Sequence, residues 1–303
     1  LAGVGAVWVL CPAPWPGRWL GVAMLLGMLA PGVSPVSPGG LRVTVLDVGQ
    51  GLSVLVQTAD HALLYDAGPA FRASDAGERV VVPALQALGV RELDVLVISH
   101  ADADHRGGAR SVLERYSRAR VVGPVGGRRV VAAGPNACHA GMAWRWDGVD
   151  FRVLHPAAHE TELDDNAGSC VLRISAPGAS LLLTGDIPAS IEGELASLAK
   201  FSAVDLLLAP HHGSRTSSSA PLVQATRSRY VVFAVGYRNR WHFPAREVVD
   251  RWRQSGACLL STAEAGALQL ETGPDTGFRL VRAERVAASG VWLARPAEMA
   301  SCR

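Results

Sequence analysis

The sequence predicts an α+β protein built as an αββα sandwich, two sheets packed face to face with helices outside. Three observations lead there. Short β-branched and leucine-rich runs recur in two strand-rich halves with interspersed helical segments, and elements of that kind bury their apolar faces only by layering. About half of the 303 residues are hydrophobic (49%), ample for one large domain core. Several of the apolar runs end abruptly in carboxylates or imidazoles, which marks strand ends that deliver polar groups rather than turns that only reverse the chain.

The elements follow in order. Leu1 to Leu10 is apolar and is broken by a proline-rich stretch; Trp19 to Val33 is a second apolar run. Each is shorter than the roughly 20 residues that span a bilayer, yet Trp8, Trp15 and Trp19 cluster as interfacial aromatics do. Residues 1–33 are therefore expected to be the hydrophobic end of a membrane region, and 34–40, rich in Pro, Ser and Gly, a linker. A domain over 41–275 and a weakly patterned C-terminal tail over 276–303 complete the division. Strands are expected at Leu41–Leu46, Ser53–Gln57, Ala62–Tyr65 and Leu93–Ile98, with helices over Val80–Leu88 and Gly108–Tyr116. In the second half, strands are expected at Asp150–Leu154, Cys170–Ala176, Ser180–Thr184, Asp205–Ala209, Arg229–Val235, Cys258–Thr262 and Gly266–Glu271, and helices over Pro188–Ala199 and Arg246–Ser255.

The formal net charge of +2 and the lack of a basic tract mean that any contact with nucleic acid is local. The five cysteines form no CxxC pair; Cys138 and Cys170 either pair or pack as small apolar residues.

Three strand ends carry the chemistry. The first presents His100, Asp102, Asp104 and His105, the second Asp186 after the apolar Leu181-Leu182-Leu183, and the third His211 and His212 after Leu206-Leu207-Leu208. Buried without partners, such groups cost several kcal/mol each, and divalent cations remove that cost. The donors exceed one tetrahedral site, so two ions are expected. Asp186 could bridge them at about 3.5–4 Å, with His100 and Asp102 on one and Asp104 and His105 on the other. Whether His211 or His212 is the ligand is left open. Asp47 and Asp66 are expected to orient ligands or organise turns rather than to bind.

These residues resemble the HxHxDH signature of the metallo-β-lactamase superfamily, with Asp102 where the second histidine usually stands. More narrowly, Leu46-Asp47-Val48-Gly49-Gln50-Gly51, Tyr65-Asp66-Ala67-Gly68, Asp75 to Pro83, Ser99 to Gly108, Asn166-x-x-Ser169, Leu183 to Asp186, His211 to Ser214 and Gly236 to Arg240 are similar to the C-terminal domain of the ComEC DNA-uptake channel family. The resemblance runs from Leu41 to about Leu270. It implies a metal-dependent phosphodiesterase, a deoxyribonuclease that degrades one strand of incoming DNA in natural transformation. Asp104, His105, Asp186 and His211 would be its catalytic residues. It also implies DNA, the channel region of the same polypeptide and other DNA-uptake proteins as partners, at the inner membrane with the domain on the extracytoplasmic side. Asp102 hardens the site and favours Mn²⁺, with Zn²⁺ second. Asn166 is placed at the corner of the absent third histidine. Ser214, Arg215 and Arg240 are candidate phosphate contacts, although Ser214 to Ser219 also reads as a flexible polar loop. Trp144 and Trp146 read as core packing before base stacking. A small-molecule hydrolase and a catalytically silent DNA-binding or gating module are the alternative functions.

Overall fold

A computed structural model describes residues 2–11, 17–26, 34–124, 136–160, 164–273 and 276–288. Contacts divide the chain into two units, 1–35 and 36–303. In the first, α1 (Ala2–Leu10) and α2 (Arg18–Leu26) are two helices of nine residues each. They approach where neither side offers a side chain: a Cβ on Gly5 would stand 2.8 Å from the Gly21 carbonyl oxygen. Among the described residues no helix is long and apolar enough to cross a membrane.

The second unit has four layers. Among the described residues one sheet runs β14-β13-β1-β2-β3-β4-β5 and the other β12-β11-β10-β9-β8-β7-β6. The first sheet comprises β1 (Arg42–Val45), β2 (Val54–Gln57), β3 (Ala62–Tyr65), β4 (Val95–Val97), β5 (Arg120–Val122), β13 (Leu268–Gly273) and β14 (Thr276–Ala283). The second comprises β6 (Ala143–Trp146), β7 (Val149–His155), β8 (Val171–Ala176), β9 (Ala179–Leu183), β10 (Leu206–Leu208), β11 (Tyr230–Phe233) and β12 (Cys258–Ser261).

Side-chain alternation explains the layering. Val95 and Val97 of β4 enter the core between the sheets, while Leu96 and Ile98 pack outward with Leu85 and Val112 of the helices α3 (Val82–Ala87) and α5 (Ala109–Arg115). In the other sheet Leu181, Leu183, Leu206 and Leu208 point inward. Leu182 and Leu207 pack outward with Leu195, Leu222 and Trp252 of α6 (Ala189–Ser197), α7 (Ala220–Thr226) and α8 (Arg246–Gln254). Strands apolar on both faces are therefore covered on both faces.

The helix start near Gly77 and the C-terminal segment depart from the sequence reading, and the two tryptophans of β6 follow it. The helix expected over Val80–Leu88 opens with a π-helical turn, Gly77–Val81, before α3 begins. Thr276–Ala283, read as part of a weakly patterned tail, is β14, the outer strand beyond β13; its residues alternate around Phe278, which is buried between the sheets. Trp144 and Trp146 lie on β6 against the core, with Trp144 stacked on Phe151 at 5.1 Å. Cys138 and Cys170 form a disulfide.

The parallel pairings position the site. β3, β4 and β5 are mutually parallel, as are β9, β10, β11 and β12, so the carboxyl ends of β9 and β10 share one edge of their sheet. A bond from Cys170 N–H to the Ser99 carbonyl (2.8 Å) ties that sheet to the loop after β4.

Candidate metal centre

The loop after β4 turns at Asp102, whose extended backbone opens a single helical turn, α4 (Ala103–Arg106). Three backbone bonds hold that turn: Leu52 N–H donates to the Asp104 carbonyl (3.1 Å), Ala67 N–H to the His105 carbonyl (2.7 Å) and Ala70 N–H to the Ala103 carbonyl (3.2 Å). Gly51 makes the first possible, because a Cβ there would run into the Asp104 carbonyl and its φ of +141° already disfavours other residues. On the opposite side Gly185, at φ +55°, lets Asp186 follow β9 directly; a Cβ would lie 2.8 Å from that of Ser169. His211 and His212 sit in a turn, Pro210–Gly213, at φ +48° and +54°. Such left-handed conformations cost non-glycine residues about 1 kcal/mol or more and accompany functional constraint.

The three loops converge. His105 Nε2 lies 3.2 Å from Asp186 Oδ1 and 3.1 Å from His212 Nε2. His212 Nε2 is 3.4 Å from Asp104 Oδ2 and 3.6 Å from Asp186 Oδ2. Two groups of donors are close enough to share an ion: His100, His105 and Asp186, and Asp104, His105 and His212. His105 belongs to both, whereas the sequence reading assigned it to one. The helical turn of α4 points its ring between Asp186 and His212.

Each imidazole is anchored through Nδ1 so that Nε2 faces the cluster. His212 Nδ1 donates to the Ala234 carbonyl (2.9 Å) and His105 Nδ1 to Asp66 Oδ2 (2.8 Å). His100 Nδ1 meets Ser99 Oγ (2.9 Å), which donates to the same Asp66 oxygen (2.7 Å). Asp66 Oδ1 accepts the Ser99 N–H (2.7 Å), so one fully buried carboxylate orients two rings. Partners of this type fix the imidazole tautomer that binds a metal, and losing one typically costs 10–100-fold in metal affinity. Asp66→Asn is expected to weaken Mn²⁺ or Zn²⁺ binding by about that factor, measured by competition with a chromophoric chelator.

Burial works against ionising Asp186, but His105 and His212 hold its carboxyl well below the usual range. Burial likewise opposes a charge on His105, and Asp186 and Asp66 override it, raising its pKa well above the ordinary histidine value. His100 Nε2 is buried without a hydrogen-bond partner; its distance of 3.6 Å to Asp102 Oδ2 is too long for one. A buried orphan nitrogen, facing imidazole nitrogens and two nearby carboxylates fit a pair of divalent cations.

The other expected residues separate. His211 stands at the edge, its Nε2 3.8 Å from Asp186 Oδ2 and its side chain 26% exposed. Asp102 is half exposed and outside both donor groups. For Asn166 the structure records a backbone bond, its carbonyl accepting from Ser169 N–H (3.1 Å), while the neighbouring Asp165 accepts from Ala101 N–H (2.9 Å). Asp47 reaches the turn at Gly49 (3.4 Å) and pairs with Arg285 (2.6 Å). Arg215 pairs with Glu247 at 3.0 Å. Ser214 Oγ meets Thr216 Oγ1 (3.1 Å), which in turn meets His211 Nδ1 (3.3 Å). Arg240 lies over the Trp241 ring at 4.3 Å.

Ser214 to Ser219 is not the flexible loop the composition suggested. Ser217 and Ser218 are buried, with Ser217 Oγ on the Pro210 carbonyl (2.7 Å) and the Ser218 and Ser219 N–H groups on Glu192. Glu192 escaped the sequence reading, although it falls on the apolar stripe of α6 beside Ile191 and Leu195, where a carboxylate needs a buried partner.

The metallo-beta-lactamase superfamily profile matches residues 46–236, which include all three ligand loops. The chain belongs to the metallo-beta-lactamase superfamily. Within it, the chain is related to competence proteins. It is 40% identical over 276 residues to competence protein ComA of Neisseria gonorrhoeae, covering 90% of this chain and 38% of that protein. It is 29% identical over 257 residues to ComE operon protein 3 of Bacillus subtilis, covering 75% of this chain and 32% of that protein. The chain thus spans 38% and 32% of these two relatives' lengths. Among solved structures, the metallo-beta-lactamase fold protein YhfI of Bacillus subtilis aligns over 76% of this chain and 99% of its own, at 13% identity and a TM-score of 0.49.

Proposed function

We propose that this metallo-beta-lactamase domain is the nuclease of a DNA-uptake channel, a phosphodiester hydrolase that degrades one strand of incoming DNA. The observation that carries the reading is the convergence of three Nε2 atoms and two carboxylates, from His100, His105, His212, Asp104 and Asp186, in one buried cluster. When bound there, two divalent ions, Mn²⁺ before Zn²⁺, supply an activated water and charge stabilisation for a phosphoryl oxygen. The two donor groups would each hold one ion, His100 and Asp186 on one side and Asp104 and His212 on the other, with His105 common to both groups. Ser99 and Asp66 keep the ring nitrogens turned inward. His211, at the edge beside Asp186, would exchange a proton with a departing oxygen. Relatives named as competence proteins support a DNA-uptake context; in this reading residues 1–33 are the end of a membrane region and the domain stands on the extracytoplasmic side.

The test is incubation of the protein with linear DNA and Mn²⁺, beside Asp104→Ala. Loss of DNA with the wild type and a drop of at least about 100-fold in the variant are expected, since removing a ligand costs several kcal/mol of transition-state stabilisation. Equal loss in both would mean that the cluster is not responsible.

A further inference from the structure

The loop Gly236–Pro244 carries two exposed aromatic residues within five positions: Tyr237 is 65% exposed and Trp241 47%. An arginine backs each ring. Arg238 Cζ lies 5.2 Å from the Tyr237 centroid and Arg240 Cζ 4.3 Å from that of Trp241. Among the described residues neither guanidinium meets a carboxylate, in contrast to Arg215, which Glu247 takes up.

The loop is fixed in shape and in place. Asn239 braces it from inside: Nδ2 donates to the Gly236 (3.1 Å) and Phe243 (2.7 Å) carbonyls, and Oδ1 accepts the Phe243 N–H (2.9 Å). Its two ends grip the turn that holds the third imidazole. Just before it, the Ala234 carbonyl anchors His212 Nδ1. Just after it, Ala245 N–H donates to the Gly213 carbonyl (2.9 Å). Gly236 also touches the Gly49–Gln50 turn, where a Cβ would stand 2.8 Å from Gln50 N. The loop that carries the aromatic pair therefore flanks the turn that brings His212 to the metal cluster. Leaving two large rings in water forgoes their burial, and the loop spends several hydrogen bonds to hold them there.

We infer that this loop is a platform for single-stranded nucleic acid, on which bases stack against Tyr237 and Trp241 while Arg238 and Arg240 meet the flanking phosphates. The inference rests on the proposed function only in taking a nucleic-acid strand as what reaches the cluster. Every base has a face that stacks on an aromatic ring, so the platform is indifferent to sequence. A guanidinium on one face of a ring leaves the opposite face open and holds its N–H groups at the ring edge, where a phosphate next to the stacked base passes. A duplex keeps its base faces covered, and only the arginines can engage it. The platform thus selects single strands or frayed ends at the mouth of the cluster.

The test is fluorescence anisotropy of the 303-residue protein in EDTA, with a labelled oligothymidylate of about 20 nucleotides, longer than the roughly 4–16 nucleotides such platforms cover, and a duplex of equal length. The wild type is expected to bind the single strand more tightly. Replacing both rings, Tyr237→Ala with Trp241→Ala, is expected to weaken single-strand binding at least about tenfold, from the known worth of one base–aromatic stack, and to narrow the preference over duplex. Trp241→Phe should retain most of the affinity and Trp241→Leu should not, a pattern that loss of bulk alone does not produce. Equal wild-type affinity for the two forms, or single-strand affinity unmoved in the double variant, overturns the platform. Binding is read without metal or cleavage, so a failure of the nuclease reading shows in the cleavage assay and not here.

Discussion

Asp186→Ala is expected to lower Mn²⁺-dependent phosphodiester hydrolysis by at least about 10³-fold, several kcal/mol of transition-state stabilisation. The argument is positional. Asp186 faces three of the imidazoles: Oδ1 lies 3.2 Å from His105 Nε2, and Oδ2 lies 3.6 Å from His212 Nε2 and 3.8 Å from His211 Nε2. It belongs to the donor group of His100 and His105, and it lies beside the group of Asp104 and His212. Among the described residues no other carboxylate joins His100 and His105 in one donor group. The sequence reaches this point through the three leucines that end β9 and a left-handed glycine, and the His211 N–H binds the Gly185 carbonyl (3.2 Å) beneath it. Asp186→Asn separates charge from shape, because it keeps an oxygen toward His105 and loses the negative charge that offsets two cations. Turnover of a chromogenic phosphodiester, with metal content measured on the same samples, checks both variants. Wild-type turnover in Asp186→Ala would remove this carboxylate from the chemistry.

The parts of this molecule that sequence revealed are those in which one physical rule acts locally. The continuous apolar runs Leu181 to Leu183 and Leu206 to Leu208 marked buried strands, and the polar residues at their ends marked the cluster. β5 and β6 were not recognised as strands, because Arg120 and the alternately exposed Ala143 to Trp146 belong to sheet edges with one open face. β14 was hidden for the same reason, with Arg279 and Arg282 interrupting its apolar positions. Within the site, the choice between His211 and His212 rests on the two left-handed conformations of one turn and on the Ala234 carbonyl, 22 residues away. Adjacent identical residues carry no local signal that could separate them. Asp47 was read as organising the Gly49 turn, and its bond to Gly49 fits, but its pairing with Arg285 joins positions 238 residues apart.

Glu192→Ala is expected to destabilise the protein by about 3–5 kcal/mol, the range for removing one partner of a buried charged interaction. Glu192 is fully buried on α6, and its two carboxylate oxygens accept the Ser218 and Ser219 N–H groups at 2.6 Å each. Ser219 is the N-cap residue of α7 and makes no side-chain cap of its own; the Glu192 carboxylate, from another helix, takes its N–H as the carboxylate of a capping box does, and takes the N–H of the preceding Ser218 as well. Arg251 of α8 closes the arrangement on the Ser218 carbonyl. Burial pushes the Glu192 carboxyl above its ordinary pKa, and the bonds from Ser219 and Ser218 oppose that rise. Alanine leaves two buried N–H groups without acceptors and a void among Ile191, Leu195 and their neighbours. Glutamine keeps the volume but offers one acceptor oxygen for two donors, so Glu192→Gln is expected to cost about 1–3 kcal/mol, the penalty for one unsatisfied buried group. Both values are read from urea unfolding. The consequence reaches the metal cluster, because Ser217, next in the chain, fixes the Pro210 carbonyl at the start of the histidine turn. A stabilised or unaffected Glu192→Ala protein would show that the serine segment holds its shape without the carboxylate, and that the turn bearing His211 and His212 is supported from the Ala234 and Ala245 side alone.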